Sequence, residues 1–283
     1  MQCEELRINV SGYTLAAKQW GDATKPALLA LHGWLDNAAT YDLIAPHLAD
    51  YRVIALDFAG HGYSDHLPEG MRYHMLDNVD DVVGVADALG LESFVLMGHS
   101  MGAGISSLLA GAFPERIQKL VLIEGIGTHT TTADRAAEVL RKAVLDMKKE
   151  GITQKPVYNS VADAIAARMQ ALGGISEAAS TTLCSRGLTE TKGGYTWRSD
   201  PRVKMNSAIR LTDDMIDSYL KNLTMPVLLI SGNHSFFAAS DVMQNRAKKV
   251  ASLTHVALDG NHHLHLEPAT YEPVLKEIQK FVS

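Results

Sequence analysis

Cysteine is scarce in this chain. Cys3 and Cys184 are the only two among 283 residues. They lie too far apart in sequence to form a metal or redox motif, and reduced thiols suit a cytoplasmic location. No apolar stretch approaches the roughly 20 residues that a membrane-spanning helix needs. The opening residues Met1-Gln2-Cys3-Glu4-Glu5 lack the basic region and apolar run of a secretory signal, so none is expected. There is no block of basic residues, and the net charge is −6. Nucleic acid and anionic membranes are therefore not expected as partners. Internal repeats and low-complexity linkers are also missing.

What is present is the profile of a soluble globular protein. Apolar residues make up 46% of the chain and charged residues 20%, enough to bury a large core. The length alone allows one large or two ordinary domains. Two alternating runs, residues 6–10 and 13–19, flank Ser11-Gly12 and predict a hairpin. Apolar runs at residues 27–31, 53–56 and 94–97 predict buried strands, and Lys119 to Ile123 and Val227 to Gly232 read as further strands. Helical patterns fall at residues 38–49 (Asp36 or Asn37 as N-cap), 77–89 (stopped by Gly90), 105–113, 242–250 and 268–282, and a further strand at 254–258. Strands alternating with helices predict an α/β fold with a mostly parallel sheet covered on both faces. Between about residues 131 and 222 the pattern is helical, with no buried strand. This block is expected to be an insertion: a helical cap, residues 128–222, on a core of residues 1–127 and 223–283.

The chain is organised around Gly98-His99-Ser100-Met101-Gly102, which joins a strand to a helix and fits the G-x-S-x-G pattern of a nucleophile elbow. A serine hydroxyl needs exposure, alignment and a neighbouring base before it becomes a useful nucleophile. A turn tight enough to lift Ser100 above the sheet crowds the backbone two residues away on each side, hence the glycines. The base is sought at a strand end. Asp259-Gly260-Asn261-His262-His263-Leu264-His265 follows the last predicted strand, and His262, directly after the glycine turn, is the candidate. His263 and His265 alternate with leucines and read as packing. A metal site of His262, His263 and His265 is the rival reading, but it lacks well-spaced acidic or cysteine partners. The orienting acid is harder to find. After the strand that follows the cap, Ser235 stands where an aspartate is expected. Glu124, immediately after Val121-Leu122-Ile123, offers a carboxylate one strand from Ser100, and Asp241 is the second candidate. The backbone N–H groups of Met101 and of Trp34, in His32-Gly33-Trp34, are the expected oxyanion donors. Asp57 with Gly60, His61, Gly62 and Ser64 reads as a structural turn, since it lacks the Lys and the spacing of a phosphate loop.

In order along the chain, His32-Gly33-Trp34, Asp57 to Ser64, the elbow and His262 to Glu267 resemble the α/β-hydrolase superfamily. Within it, His32-Gly33-Trp34-Leu35-Asp36-Asn37 and Asp259-Gly260-Asn261-His262-His263 are similar to the serine hydrolase-like proteins, close in pattern to the epoxide hydrolase and haloalkane dehalogenase branch. That branch uses an aspartate nucleophile, and Ser100 here speaks against both activities. Some of its dehalogenases carry their acid after the strand before the cap, in a segment similar to Leu122-Ile123-Glu124, and this resemblance implies Glu124. The expectation is a serine hydrolase of a carboxylic ester or similar small acyl substrate, needing no cofactor or metal, as monomer or homodimer. A thioesterase, a lactonase, a carbon–carbon bond hydrolase and a non-catalytic binder on the same scaffold are the alternatives.

Overall fold

Ser11 and Gly12 both adopt positive φ, and the tight turn they make folds β1 (Cys3–Val10) onto β2 (Tyr13–Trp20) as an antiparallel hairpin. A computed structural model of the chain describes residues 2–149, 154–171, 173–235, 237–238 and 240–283. After the hairpin come β3 (Ala27–Leu31), β4 (Arg52–Leu56), α1 (Asp77–Ala88), β5 (Phe94–His99), α2 (Met101–Ala112) and β6 (Ile117–Ile123). Then follow α3 (Ala136–Asp146), α4 (Val161–Met169), α5 (Glu177–Gly187), the hairpin β7 (Leu188–Thr191) and β8 (Gly194–Trp197), and α6 (Asp213–Lys221). The chain closes with β9 (Val227–Gly232), α7 (Asp241–Ala247), β10 (Leu253–Leu258) and α8 (Tyr271–Val282).

Eight strands form one sheet in the order β1-β2-β4-β3-β5-β6-β9-β10. From β4 to β10 every pairing is parallel, and only the β1–β2 and β2–β4 pairs are antiparallel. The two faces are packed separately. Leu29, Leu31 and Leu96 point into a cluster with Val82 and Val85 of α1 and Leu108 and Leu109 of α2. Leu28, Ala30, Val95 and Met97 point the other way, against Tyr41, Ile44 and α8 residues Val274, Ile278 and Val282. Burial on both faces is why these strands read as unbroken apolar runs. The strand order reverses between β3 and β5, and ligands of open α/β sheets bind outside the strand ends at such a point. No helix among the described residues is long and apolar enough to cross a membrane.

Three local expectations need correction. Residues 38–49 form two short 3₁₀ turns, Ala38–Tyr41 and Ala45–His47, instead of one α-helix. Pro46 has no N–H to give the carbonyl four residues back, which breaks an α-helical ladder. Asn37 is the cap, its Oδ1 accepting from Ala39 N. The stretch between β6 and β9 is not purely helical, because β7 and β8 pair through Lys192-Gly193. Gly193 and Gly194, both at positive φ, were the available signal. The last helix begins at Tyr271 and not at Pro268; the N–H of Tyr271 bonds Glu267 O, so Pro268 lies in the preceding turn.

Arg186 at the end of α5 ties the segment between β6 and β9 to the sheet. Its Nε donates to Asp57 Oδ2 at 2.8 Å, and Nη1 and Nη2 reach the Glu5 carboxylate at 2.6 and 2.9 Å. Asp57 also accepts the N–H groups of Ala38 and Tyr63, and its carboxylate fills the space where a Cβ on Gly62 would sit. Asp57 is therefore the structural turn residue that the sequence suggested. Burial pushes the Asp57 carboxyl up, and Arg186 opposes that shift. Removing one partner of a buried pair leaves an uncompensated charge, whereas an exposed pair contributes little. Arg186→Ala should therefore cost about 3 kcal/mol in urea unfolding, and Glu5→Ala less than about 1 kcal/mol. Small, equal losses would show that Asp57 needs no counter-charge.

Candidate active site

At the end of β5 the chain reverses through Ser100, at φ 52° and ψ −111°, and α2 begins at Met101. A Cβ on Gly98 would lie 2.4 Å from Gly102 O, and one on Gly102 would lie 2.1 Å from Leu31 O. Both glycines are thus demanded by close approach of the backbone, as the crowding argument predicts. Ser100 N donates to Ile123 O at 2.9 Å, which anchors the turn to β6.

β6 ends at Glu124, which also has positive φ, at 55°, and whose N–H donates to Ile230 O at 2.9 Å. The fully buried carboxylate accepts from Gly232 N at 2.6 Å through Oε1. Oε2 accepts from the Ser235 hydroxyl and lies 3.0 Å from His262 Nδ1. On the far side of the ring, His262 Nε2 is 2.9 Å from Ser100 Oγ. A proton on Nδ1 directed at the carboxylate leaves Nε2 as the acceptor facing the serine hydroxyl. Phe237 stacks on the ring at 5.3 Å and 17°. The fold thus brings Ser100, His262 and Glu124 into one hydrogen-bonded series. Asp241 instead opens α7 behind the Ser240 cap. Ser235, which stands where an aspartate is expected, is not idle. Its hydroxyl is a donor to the carboxylate that arrives from the neighbouring strand.

The three histidines of the last loop diverge. His262 turns to Ser100 and Glu124, His263 Nε2 to Asp36 Oδ2 at 3.1 Å, and His265 Nε2 to Thr40 Oγ1 at 2.9 Å. They do not form the metal site considered from sequence. Ligand atoms of Asp36, His99 and His263 do lie within 4.8 Å of one another. The guanidinium of Arg168, 2.8 Å from the same Asp36 carboxylate, already supplies the cation there. Burial opposes ionisation of Asp36, but His263, Arg168 and His99 hold its carboxyl well below the usual range. His99 fills the open position of the G-x-S-x-G pattern, which carries no sequence signal of its role. Its Nε2 lies 2.9 Å from the backbone carbonyl of His262, and its ring occupies the space beside Gly33, where a Cβ would come within 2.8 Å of Nδ1.

Met101 N–H opens α2, where a helix has no carbonyl of its own to offer. Trp34 leaves the end of β3, which pairs with β5 through Leu31 and Gly98. Trp34 is exposed, its indole Nε1 donates to Val203 O at 3.0 Å, and Leu35 after it has φ 63°.

The profile of the alpha/beta hydrolase fold family matches residues 26–269. A serine hydrolase-like protein of Dictyostelium discoideum is 32% identical, over 93% of this chain and 78% of that protein. The crystal structure of a hypothetical protein from Pseudomonas aeruginosa PAO1 is 40% identical with a TM-score of 0.93, covering 99% of both chains. The thioesterase domain from the curacin biosynthetic pathway is 26% identical with a TM-score of 0.86, over 98% of this chain and 99% of that one.

Several histidines around the site are buried and neutral. Burial pushes His32 down to about 4, and His61 and His265 down to about 3, from an ordinary 6.5. Below pH 6.5 the unfolded chain takes up protons at these positions that the folded chain does not, so stability falls with pH. At pH 5 each contributes a loss of about 2 kcal/mol. His99, which burial holds well below its ordinary value, adds to the loss, while Asp81, raised by burial to about 6, and Asp42 and Asp57, also raised by burial, oppose it. Urea midpoints should therefore drop steeply between pH 7 and pH 5. A flat profile over that range would mean that these rings are protonated in the fold.

Proposed function

The chain belongs to the alpha/beta hydrolase fold family, and from that premise we propose that it is a serine hydrolase of carboxylic esters or similar small acyl compounds. The observation that carries this reading is the placement of His262, 2.9 Å from Ser100 Oγ on one side and 3.0 Å from Glu124 on the other. In this reading Ser100 Oγ attacks the carbonyl carbon while His262 Nε2 takes its proton. Glu124 holds the ring and stabilises the imidazolium. The N–H groups of Met101 and Trp34 receive the oxyanion. His262 then passes its proton to the leaving group as the carbonyl re-forms. Water, deprotonated by His262, releases the acyl group as a carboxylic acid and restores Ser100.

Residues 128–222 act in this proposal as a cap over a core of residues 1–127 and 223–283, with 150–153 and 172 outside the described residues. Contacts of Val203 with Trp34, of Arg168 with Asp36 and of Arg186 with Asp57 support a cap seated on the strand ends. A small-molecule substrate would then bind beneath it. A second reading, thioester hydrolysis, is supported by the likeness to the curacin thioesterase domain, and the same residues would serve.

Treatment with a fluorophosphonate, followed by intact-mass analysis, tests the proposal. Wild type should gain one adduct and Ser100→Ala none. His262→Ala and Glu124→Gln should label at least roughly 10³-fold more slowly, as for other triad members. A folded wild type that stays unlabelled, or a Ser100→Ala variant that labels at the same rate, would sink the reading. Initial rates on matched oxygen esters and thioesters then decide between the two substrate classes.

A further inference from the structure

Arg168 on α4 is a buried cation with unfinished hydrogen bonding. Its side chain is only 10% exposed. Nη2 donates to Asp36 Oδ1 at 2.8 Å and lies 3.4 Å from His263 Nε2. Nη1 is buried and has no hydrogen-bond partner among the described residues. A buried donor left unmade is costly, and more so on a charged group. The same side chain lines a cavity of about 10 Å³, together with Leu35, Asp36, Asn37, Leu183, Trp197 and Ser199. That is room for about one water-sized group.

The position of this cavity matters. Leu35 and Asp36 directly follow Trp34, the proposed oxyanion donor, and His263 directly follows His262. Arg168 itself, at 3.4 Å from His263 Nε2, ties the cavity wall to the loop that carries His262. A second feature points to the same ligand chemistry. Trp197 and Ser199 also line a larger cavity of about 380 Å³, into which Lys142, Lys149, Lys155 and Lys204 bring positive charge against the carboxylate of Asp146. On a chain of net charge −6, this local excess attracts anions.

We infer that Arg168 recognises a free carboxylate on the substrate, so that the compound cleaved at Ser100 is a monoester or monothioester of a dicarboxylic acid. The inference rests on the hydrolase reading above. With Nη2 engaged by Asp36, Nη1 is the arm left to donate to a carboxylate oxygen, in a charge-assisted hydrogen bond. The small volume beside Arg168 admits a carboxylate oxygen more readily than the bulkier tetrahedral phosphate.

The test compares kcat/KM for p-nitrophenyl monoesters of succinate, glutarate and adipate with uncharged p-nitrophenyl esters of matched length. The protein is wild type, Arg168→Gln and Arg168→Lys. Lysine keeps a positive charge for Asp36 but has no second arm, so it guards against a variant that fails to fold. Taking the ratio of acidic to uncharged ester cancels any loss common to both. At least one acidic ester should be preferred by wild type, and its ratio should fall at least tenfold in both variants. An unchanged ratio, with both esters slowed alike, would overturn the inference and leave Arg168 as the counter-ion of Asp36 with a water at Nη1. Calorimetry of the free diacids binding to Ser100→Ala, with and without Arg168→Lys, needs no turnover. Binding that depends on Arg168 in a protein that never hydrolyses esters would uphold the carboxylate site and remove the hydrolase reading. Binding indifferent to Arg168 would overturn the carboxylate site whatever the activity.

Discussion

The carboxylate of Glu124 is fully buried, and the region above the sheet depends on keeping it satisfied. A buried charge without hydrogen bonds would cost several kcal/mol, so each of its oxygens must find donors. Gly232 N meets Oε1, while the Ser235 hydroxyl and His262 Nδ1 meet Oε2. Those donors come from the end of β9, the turn after it and the loop after β10. One side chain thereby fixes three chain segments relative to β6. The imidazole so held is the one that faces Ser100.

A second buried carboxylate does the same work on the other side of the histidine loop. Asp36 gathers His263 and Arg168 directly and lies 3.7 Å from His99 Nδ1, while His99 reaches the backbone of His262. Two of its neighbours come from the last loop and the elbow, and the third from α4. Asp57 repeats the device with Arg186 of α5. Pairing a buried carboxylate with an arginine from the segment between β6 and β9 couples that segment to the strand ends. Buried ion pairs add little net stability, but losing one member is severe. These pairings fix where that segment meets the strand ends, whatever their net contribution to stability.

Strain collects in the same place. Among the described residues four non-glycine positions have positive φ, and Leu35, Ser100 and Glu124 are three of them. Such conformations cost about 1–3 kcal/mol each and persist only where the surroundings over-determine them. Here the surroundings are the strand-end hydrogen bonds from Ser100 N to Ile123 O and from Glu124 N to Ile230 O. The packed sheet supplies what the local backbone opposes.

Which parts were legible in advance follows from the range of each interaction. The parallel strands, the elbow and its two glycines are written locally, because period, apolar runs and backbone crowding act over a few residues. The pattern over residues 38–49 misled because it carries a helical period but not the missing N–H of Pro46. Glu124 could be reached from sequence by its place at a strand end beside Ser100, by the resemblance of Leu122-Ile123-Glu124 and by what Ser235 lacks, but that the Ser235 hydroxyl itself serves the carboxylate was hidden. The sequence by itself determined the α/β order of the chain and the place of Ser100 at a strand-to-helix turn. Only the tertiary structure decided which histidine meets which carboxylate, that His99 braces the His262 backbone, and that Arg168 and Arg186 meet Asp36 and Asp57. Those partners are separated by more than a hundred residues in most cases, and no local periodicity records a contact made by folding distant strand ends together.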